Sequence, residues 1–311
     1  MVGVGYLGKF HAEKYAAMND VDLVGVVDVE NVQAEEIARR LHTKAYRDYR
    51  DLLGKVDAVS IVIPTPLHFE VTKKFLANNV DVLIEKPMTA TLKEADELIA
   101  LAESRGQIVQ VGLLERFNPA VVAAKEFVHR PMLIEAQRLC IYNERGTDVS
   151  VVLDLMIHDI DIVLNLVRSG VTDIRAAGIA VVSQDVDFAN ARLEFENGCV
   201  ANLTADRISM KNKREIRLFQ KDAIITIDYA NRGITVAQPD PDSVHEVIPG
   251  RDIRQRNFTD GDALKDELTA FVAAVKKRET PEVTGRMGRD ALGVAFRIME
   301  QIERFGGHWP E

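Results

Sequence analysis

Two rhythms of apolar and polar residues divide the chain. Up to about residue 119, short near-continuous apolar runs alternate with stretches of helical spacing. The runs fall at 21–28 (VDLVGVVD), 57–63 (DAVSIVI), 80–85 (VDVLIE) and 107–112 (QIVQVG). Strands buried on both faces of a parallel sheet read this way, because neither face needs polar residues. Between them, 31–41, 67–78 and 91–104 carry apolar residues at helical intervals, and 9–18 predicts another helix. Strand–helix alternation of this kind predicts an α/β fold, a doubly wound parallel sheet of Rossmann type over residues 1–118.

Beyond residue 119 the rhythm changes. Helices are predicted at 120–129 and 150–167. The segments 189–195 (ANARLEF) and 199–206 (CVANLTAD) then alternate strictly around Glu196-Asn197-Gly198. Alternation on both sides of Asn-Gly signals a β-hairpin. Further strands at 214–219, 223–227 and 233–237 precede helices at 262–277 and 289–304. Residues 119–311 therefore predict an α+β domain with a large, mostly antiparallel sheet, one face of which must be covered.

Bulk composition narrows the class of protein. A chain of 311 residues suits about two domains, and its 47% hydrophobic content is ordinary for a globular protein. A net charge of −9 argues against a nucleic-acid or membrane-surface partner. Cys140 and Cys199 are the only cysteines, both in alternating runs, and no C-x-x-C occurs. They read as small buried hydrophobes, and neither a disulfide framework nor a metal site is expected. No apolar stretch approaches the roughly 20 residues of a membrane-spanning helix. A cytoplasmic protein is expected.

The chain opens on Gly3-Val4-Gly5-Tyr6-Leu7-Gly8, a G-x-G-x-x-G loop leading into the helix predicted at 9–18. The first amides of such a helix hold a pyrophosphate. Asp28 ends the next apolar run, near the roughly 20-residue offset of the acid that grips an adenosine ribose. A carboxylate there accepts from both ribose hydroxyls and repels a 2′-phosphate, which favours NAD over NADP. Only Met1 and Val2 precede the loop, where about five or six strand residues are usual. So short a central strand would leave a hydrophobic slot. The expectation is a native chain that starts several residues earlier.

Two further motifs fall at carboxyl ends of predicted strands, where ligands of open parallel sheets bind. In Pro64-Thr65-Pro66-Leu67-His68 the prolines force an extended loop, which would bring Thr65 and His68 towards a cofactor. His68 reads equally well as a helix-start or packing residue. In Glu85-Lys86-Pro87 the proline fixes the backbone that aims the Lys86 ammonium. The third signal is the helix predicted at 150–167, apolar nearly all round. On it Asp154, His158, Asp161 and Asn165 recur at intervals of four, three and four, which stacks them along one face. A polar stripe on a buried helix needs partners or a wet cleft. His158 is the candidate general base, with Asp154 orienting it.

The glycine loop, Asp28, Pro64–His68, Glu85-Lys86-Pro87 and the D-x-x-x-H of Asp154 and His158 together resemble the Gfo/Idh/MocA oxidoreductases. The resemblance runs over essentially the whole chain. It implies an NAD(P)-binding domain followed by a domain whose sheet builds a homodimer or homotetramer, and hydride transfer from a sugar-like alcohol to nicotinamide. By motif match Lys86 positions the reacting hydroxyl, His158 takes its proton and Asp154 supports His158. Arg116, in Glu115-Arg116-Phe117-Asn118, resembles a residue beside the nicotinamide. The runs GVGYLGKFHAEKY and VVLDLMIHDIDIVL look most like the branch that oxidises the 3-hydroxyl of UDP-N-acetylglucosamine, a step in making lipid A. Its diphosphate would need cations, for which Lys211, Lys213 and Arg214, or Arg251, Arg254 and Arg256, are candidates. A free sugar or inositol as substrate, and a non-catalytic nucleotide sensor, are the alternatives.

Overall fold

A computed structural model describes residues 1–143, 149–240, 248 and 250–306. It separates into two compact units. One comprises Met1–Leu114 with Leu264–Asp290, the other Glu115–Ala263 with Ala291–Glu311. In this division the chain returns to the first unit near its end. Sequence order concealed that return, because a helix carries no mark of the sheet it covers.

In the first unit, β1 (Gly25–Val27) pairs in parallel with β2 (Lys44–Tyr46). The strands β3 (Ala58–Ile61), β4 (Asp81–Glu85) and β5 (Val109–Gly112) form a second parallel set. Val2 joins the two sets. It bridges in parallel to both Val27 and Ile61, with Val2 N–H donating to the Ser60 carbonyl and its own carbonyl accepting from Val62 N–H, at 2.9 and 2.8 Å. Val2 thus lies at the centre of the sheet, directly before the glycine loop. At the opposite end of these strands lies a cavity of about 360 Å³ lined by Met1, Val21–Gly25, Lys55–Ser60 and residues of α7 (Ala263–Lys277).

Helices α1 (Gly8–Ala16), α2 (Asn31–Arg40), α3 (His68–Ala77) and α4 (Leu92–Arg105) follow the strands. Local sequence sets both ends of α4. The Thr91 hydroxyl and Glu94 carboxylate cap each other's backbone N–H groups, and Gly106 stops the helix at φ +67°. From α7, Leu268, Phe271 and Ala274 pack with Tyr15, Leu83 and Ile108. The first residues of α8 (Gly285–Gly306) press on β5 so closely that a Cβ on Gly288 would lie 2.5 Å from Val111.

The second unit begins with α5 (Pro119–Ala124), β6 (Leu133–Leu139) and α6 (Ile157–Val167). It continues through β7 (Val171–Ile179), β8 (Phe188–Phe195), β9 (Val200–Asp206) and β10 (Lys213–Gln220). The strands β11 (Ala223–Asp228), β12 (Gly233–Pro239) and β13 (Arg251–Asn257) complete an eight-stranded sheet. Its order is β13-β12-β11-β10-β6-β9-β8-β7, antiparallel except for β6 with β9. The Asn197-Gly198 hairpin forms, with Gly198 at φ +82°. Strands β6, β7 and β13 lie outside the predicted elements; β13 reads RDIRQRN, too polar to signal a strand.

One face of this sheet is apolar, including Ile134, Leu193, Leu203, Leu218 and Ile225. Residues of α5 and α6, together with Ala291, Val294, Ala295 and Ile298 of α8, bury it. The other face is polar and laced with exposed ion pairs such as Arg217–Glu135 and Arg192–Glu194. The edge strands β7 and β13 each carry charge, and β7 has a bulge at Val171/Asp173.

Candidate active site

In the first unit the glycine loop is tied down on both sides. Gly3 sits at φ +82°, and a Cβ there would lie 2.1 Å from the Val62 carbonyl oxygen; one on Gly8 would lie 2.1 Å from that of Gly3. Only glycine fits either place. A Cβ on Gly5 would meet nothing within 4 Å, so this backbone stays approachable, as a phosphate-binding turn requires. Tyr6 and Leu7 are exposed. Asp28 reaches back to the loop, accepting from Val4 N–H at 2.8 Å and Glu30 N–H at 3.0 Å. These features fit the dinucleotide that the loop predicts.

Pro64 and half-buried Thr65 enter a short 3-10 turn, Thr65–Leu67. His68 opens α3 and is buried. Its Nδ1 lies 3.0 Å from the Pro87 carbonyl and its Nε2 2.8 Å from that of Ile63. Burial lowers its pKa, against the opposite pull of the carbonyls. His68 thereby pins the Ile63 loop to the Glu-Lys-Pro turn. Glu85 and Lys86, both half-buried, end β4 and begin that turn, and Glu85 accepts from Lys86 N–H at 3.1 Å.

Behind Glu85 lies a buried polar group that no motif announced. His11 of α1 places Nε2 3.4 Å from Glu85 Oε1. Glu267 of α7, fully buried, completes a set whose nearest ligating atoms all lie within 4.8 Å of one another. The sequence did carry a faint signal. Glu267 stands three residues after Leu264 and four before Phe271, on the apolar stripe of its helix.

In the second unit, Asp154 and His158 do not lie on one regular helix. Val152–Met156 form a π-helical turn before α6 begins. The wider turn changes the angular offset between residues four apart along this stretch. Both side chains are half-buried. Asp161 is committed elsewhere: Arg116 donates to it through Nε at 2.7 Å and Nη2 at 3.1 Å, with both residues buried. That bidentate pair holds the Arg116 turn against α6.

Arg138 of β6 makes the matching pair with Asp159, at 2.8 and 2.9 Å, and a third hydrogen bond to Glu115 at 2.9 Å. Burial opposes its charge, but the facing carboxylates of Asp159 and Glu115 outweigh it and hold the guanidinium protonated. The two pairs fix α6 to the loop and to the sheet. Of the candidate diphosphate cations, Lys213 bonds Gln137 and Glu215, Arg254 pairs with Asp252, and Arg256 stacks on Phe258 at 4.7 Å. Lys211 and Arg214 are exposed, and Arg251 is half-buried.

A parallel dinucleotide-binding sheet with a second unit built on a large, mostly antiparallel sheet defines an NAD-linked oxidoreductase. The chain belongs to the Gfo/Idh/MocA family: residues 1–113 match its NAD-binding Rossmann domain and residues 129–226 its C-terminal domain. It is 36% identical to UDP-N-acetylglucosamine 3-dehydrogenase of Acidithiobacillus ferrooxidans, over 98% of this chain and 97% of that protein. A solved structure of that enzyme superposes with a TM-score of 0.92, covering 98% of this chain and 96% of the other. Myo-inositol 2-dehydrogenase of Thermotoga maritima is 26% identical over 97% of this chain and 95% of its own length. NAD is the family's cofactor.

Proposed function

We propose that this enzyme oxidises the 3-hydroxyl of UDP-N-acetylglucosamine, in the cytoplasm, on the way to lipid A or another surface sugar. The observation that carries this reading is the 36% identity, spread over nearly the whole of both chains, to an enzyme of that name. Gly3, Gly5, Tyr6, Leu7, Gly8 and Asp28 would hold NAD, with Pro64, Thr65 and Glu85 lining the same edge of the sheet. When bound, NAD supplies the hydride acceptor. In this reading Lys86 orients the reacting hydroxyl, His158 takes its proton, and Asp154 keeps the imidazole in the accepting form. The polar face of the eight-stranded sheet serves as the contact between copies in a homodimer or homotetramer.

Reduced nicotinamide should form when the purified protein meets NAD and UDP-N-acetylglucosamine, most readily with an aminotransferase removing the ketone. His158→Ala should lower that rate by roughly 10²–10⁴-fold. Turnover of myo-inositol and none of the nucleotide sugar would overturn the substrate and leave the class; the inositol dehydrogenase among the relatives makes that the comparison to run.

A further inference from the structure

His11, Glu85 and Glu267 come from α1, β4 and α7, far apart in sequence, and meet inside the first unit. His11 and Glu267 are fully buried. Among the described residues, neither ring nitrogen of His11 has a hydrogen-bond partner, nor does either carboxylate oxygen of Glu267. The Gln110 side-chain oxygen nearby also lacks a partner among the described residues, while its amide donates to the Glu267 main-chain carbonyl at 3.1 Å. Buried polar atoms are rarely left so, and several together imply a species that pairs them. Two carboxyl groups this close and this dry do not both ionise without a countercharge.

A neutral His11 supplies one N–H, and the carboxyl and amide oxygens around it call for a second donor. A carboxylic acid O–H is a donor, and a carboxylate is not. We propose that Glu267 is a neutral carboxylic acid whose proton completes a buried His11–Glu85–Glu267 cluster, and that this cluster is the positioning device for the Glu85-Lys86 turn.

The surroundings agree. Burial first, and the Glu85 charge second, push the Glu267 pKa well above its ordinary value. Gly112 of β5 lets the Glu85 carboxylate lie against the neighbouring strand, since a Cβ there would sit 2.7 Å from Glu85 Oε1. The Glu85 carboxylate is thus clamped between β5, His11 and the backbone N–H of Lys86. The other titratable groups facing the cluster are Tyr15 of α1, whose hydroxyl bonds Ser60 and which feels Glu267, and His68 of α3, which feels Glu85. The consequence for Lys86 rests on the catalytic reading above; the protonation of Glu267 does not.

The test compares Glu267→Gln, a neutral donor of the same shape, with Glu267→Ala. Infrared spectra at pH 7 should show a protonated-carboxyl band in the wild type that Glu267→Gln lacks. The folded state keeps a proton that the unfolded chain releases above about 4.5, so raising the pH favours unfolding. The melting temperature of Glu267→Gln should therefore gain on the wild type as pH rises from that value. Glu267→Ala should lower kcat by up to about 10²-fold with little change in KM for NAD, and Glu267→Gln should restore most of it.

An unchanged infrared spectrum, or a melting-temperature difference independent of pH, would overturn the proposal even if no substrate is turned over. So would one equivalent of tightly held divalent metal that Glu267→Gln loses, which would make the set a ligand shell. Should Glu267→Ala fail to fold, the spectrum and the pH series of Glu267→Gln still decide.

Discussion

Asp187 shows how one carboxylate organises a loop. It is buried, and burial alone would raise its pKa. The Ser183 hydroxyl and the N–H groups of Val181, Val182 and Ser183 override that and pull it down to about 2. Three successive amides aimed at one anion form a nest. Asp187→Asn should cost roughly 2 kcal/mol of stability at neutral pH, measured by urea denaturation. The gap should persist above the unfolded value near 3.8 and close as pH falls towards 2. Cys199 is buried, and burial raises its thiol to about 11. Half-buried Cys140 only partly meets the expectation of two buried cysteines. None of this was legible beforehand, because a lone Asp or Cys in an alternating run looks the same whether or not the fold wraps around it.

At the scale of elements, legibility followed the strength of local chemistry. The glycine loop and the Asn197-Gly198 hairpin were readable because each is written in residues adjacent in sequence. The π-helical turn was not: nothing in VVLDLMIHD distinguishes it from a regular helix, so Asp154 and His158 were read on an α-helical wheel. The clamp on α6 was equally hidden, since Arg138 lies on a strand that the pattern did not announce. Its pairing gives a contrast that a denaturation series can check. Arg138→Met alone should destabilise by about 3–5 kcal/mol, because Asp159 is left buried and uncompensated. Adding Asp159→Leu should recover much of that loss, because apolar replacement of a whole buried pair is often neutral or better. If the single and double variants are equally unstable, the pair does not act as a unit.

At the scale of the whole molecule, the order of elements carries the architecture, while the return of residues 264–290 to the first unit has no signature in the sequence. Apolar rhythm says that a helix must cover something, and only the folded chain says what. The nucleotide unit should answer to its ligand as any binding domain does. NAD at about 100 times its Kd should add roughly 2.7 kcal/mol to that unit's stability. Gly3→Ala, which forces a Cβ against the Val62 carbonyl at positive φ, should abolish the shift and cost a further roughly 2–5 kcal/mol. Calorimetry with and without the nucleotide reads both effects; an undiminished shift in the variant would count against the loop as the binding element.

The borders of the eight-stranded sheet carry a consequence for handling the protein. An open border of unpaired amides and carbonyls is a template on which stray chains can grow. Here one border bears arginines at 251, 254 and 256, and the other is kinked by its bulge beside Asp173 and Arg175. Like charge and a bent register both discourage fibrillar stacking, so concentrated solutions should stay clear where a variant with those three arginines replaced by threonine turns cloudy and binds amyloid dyes.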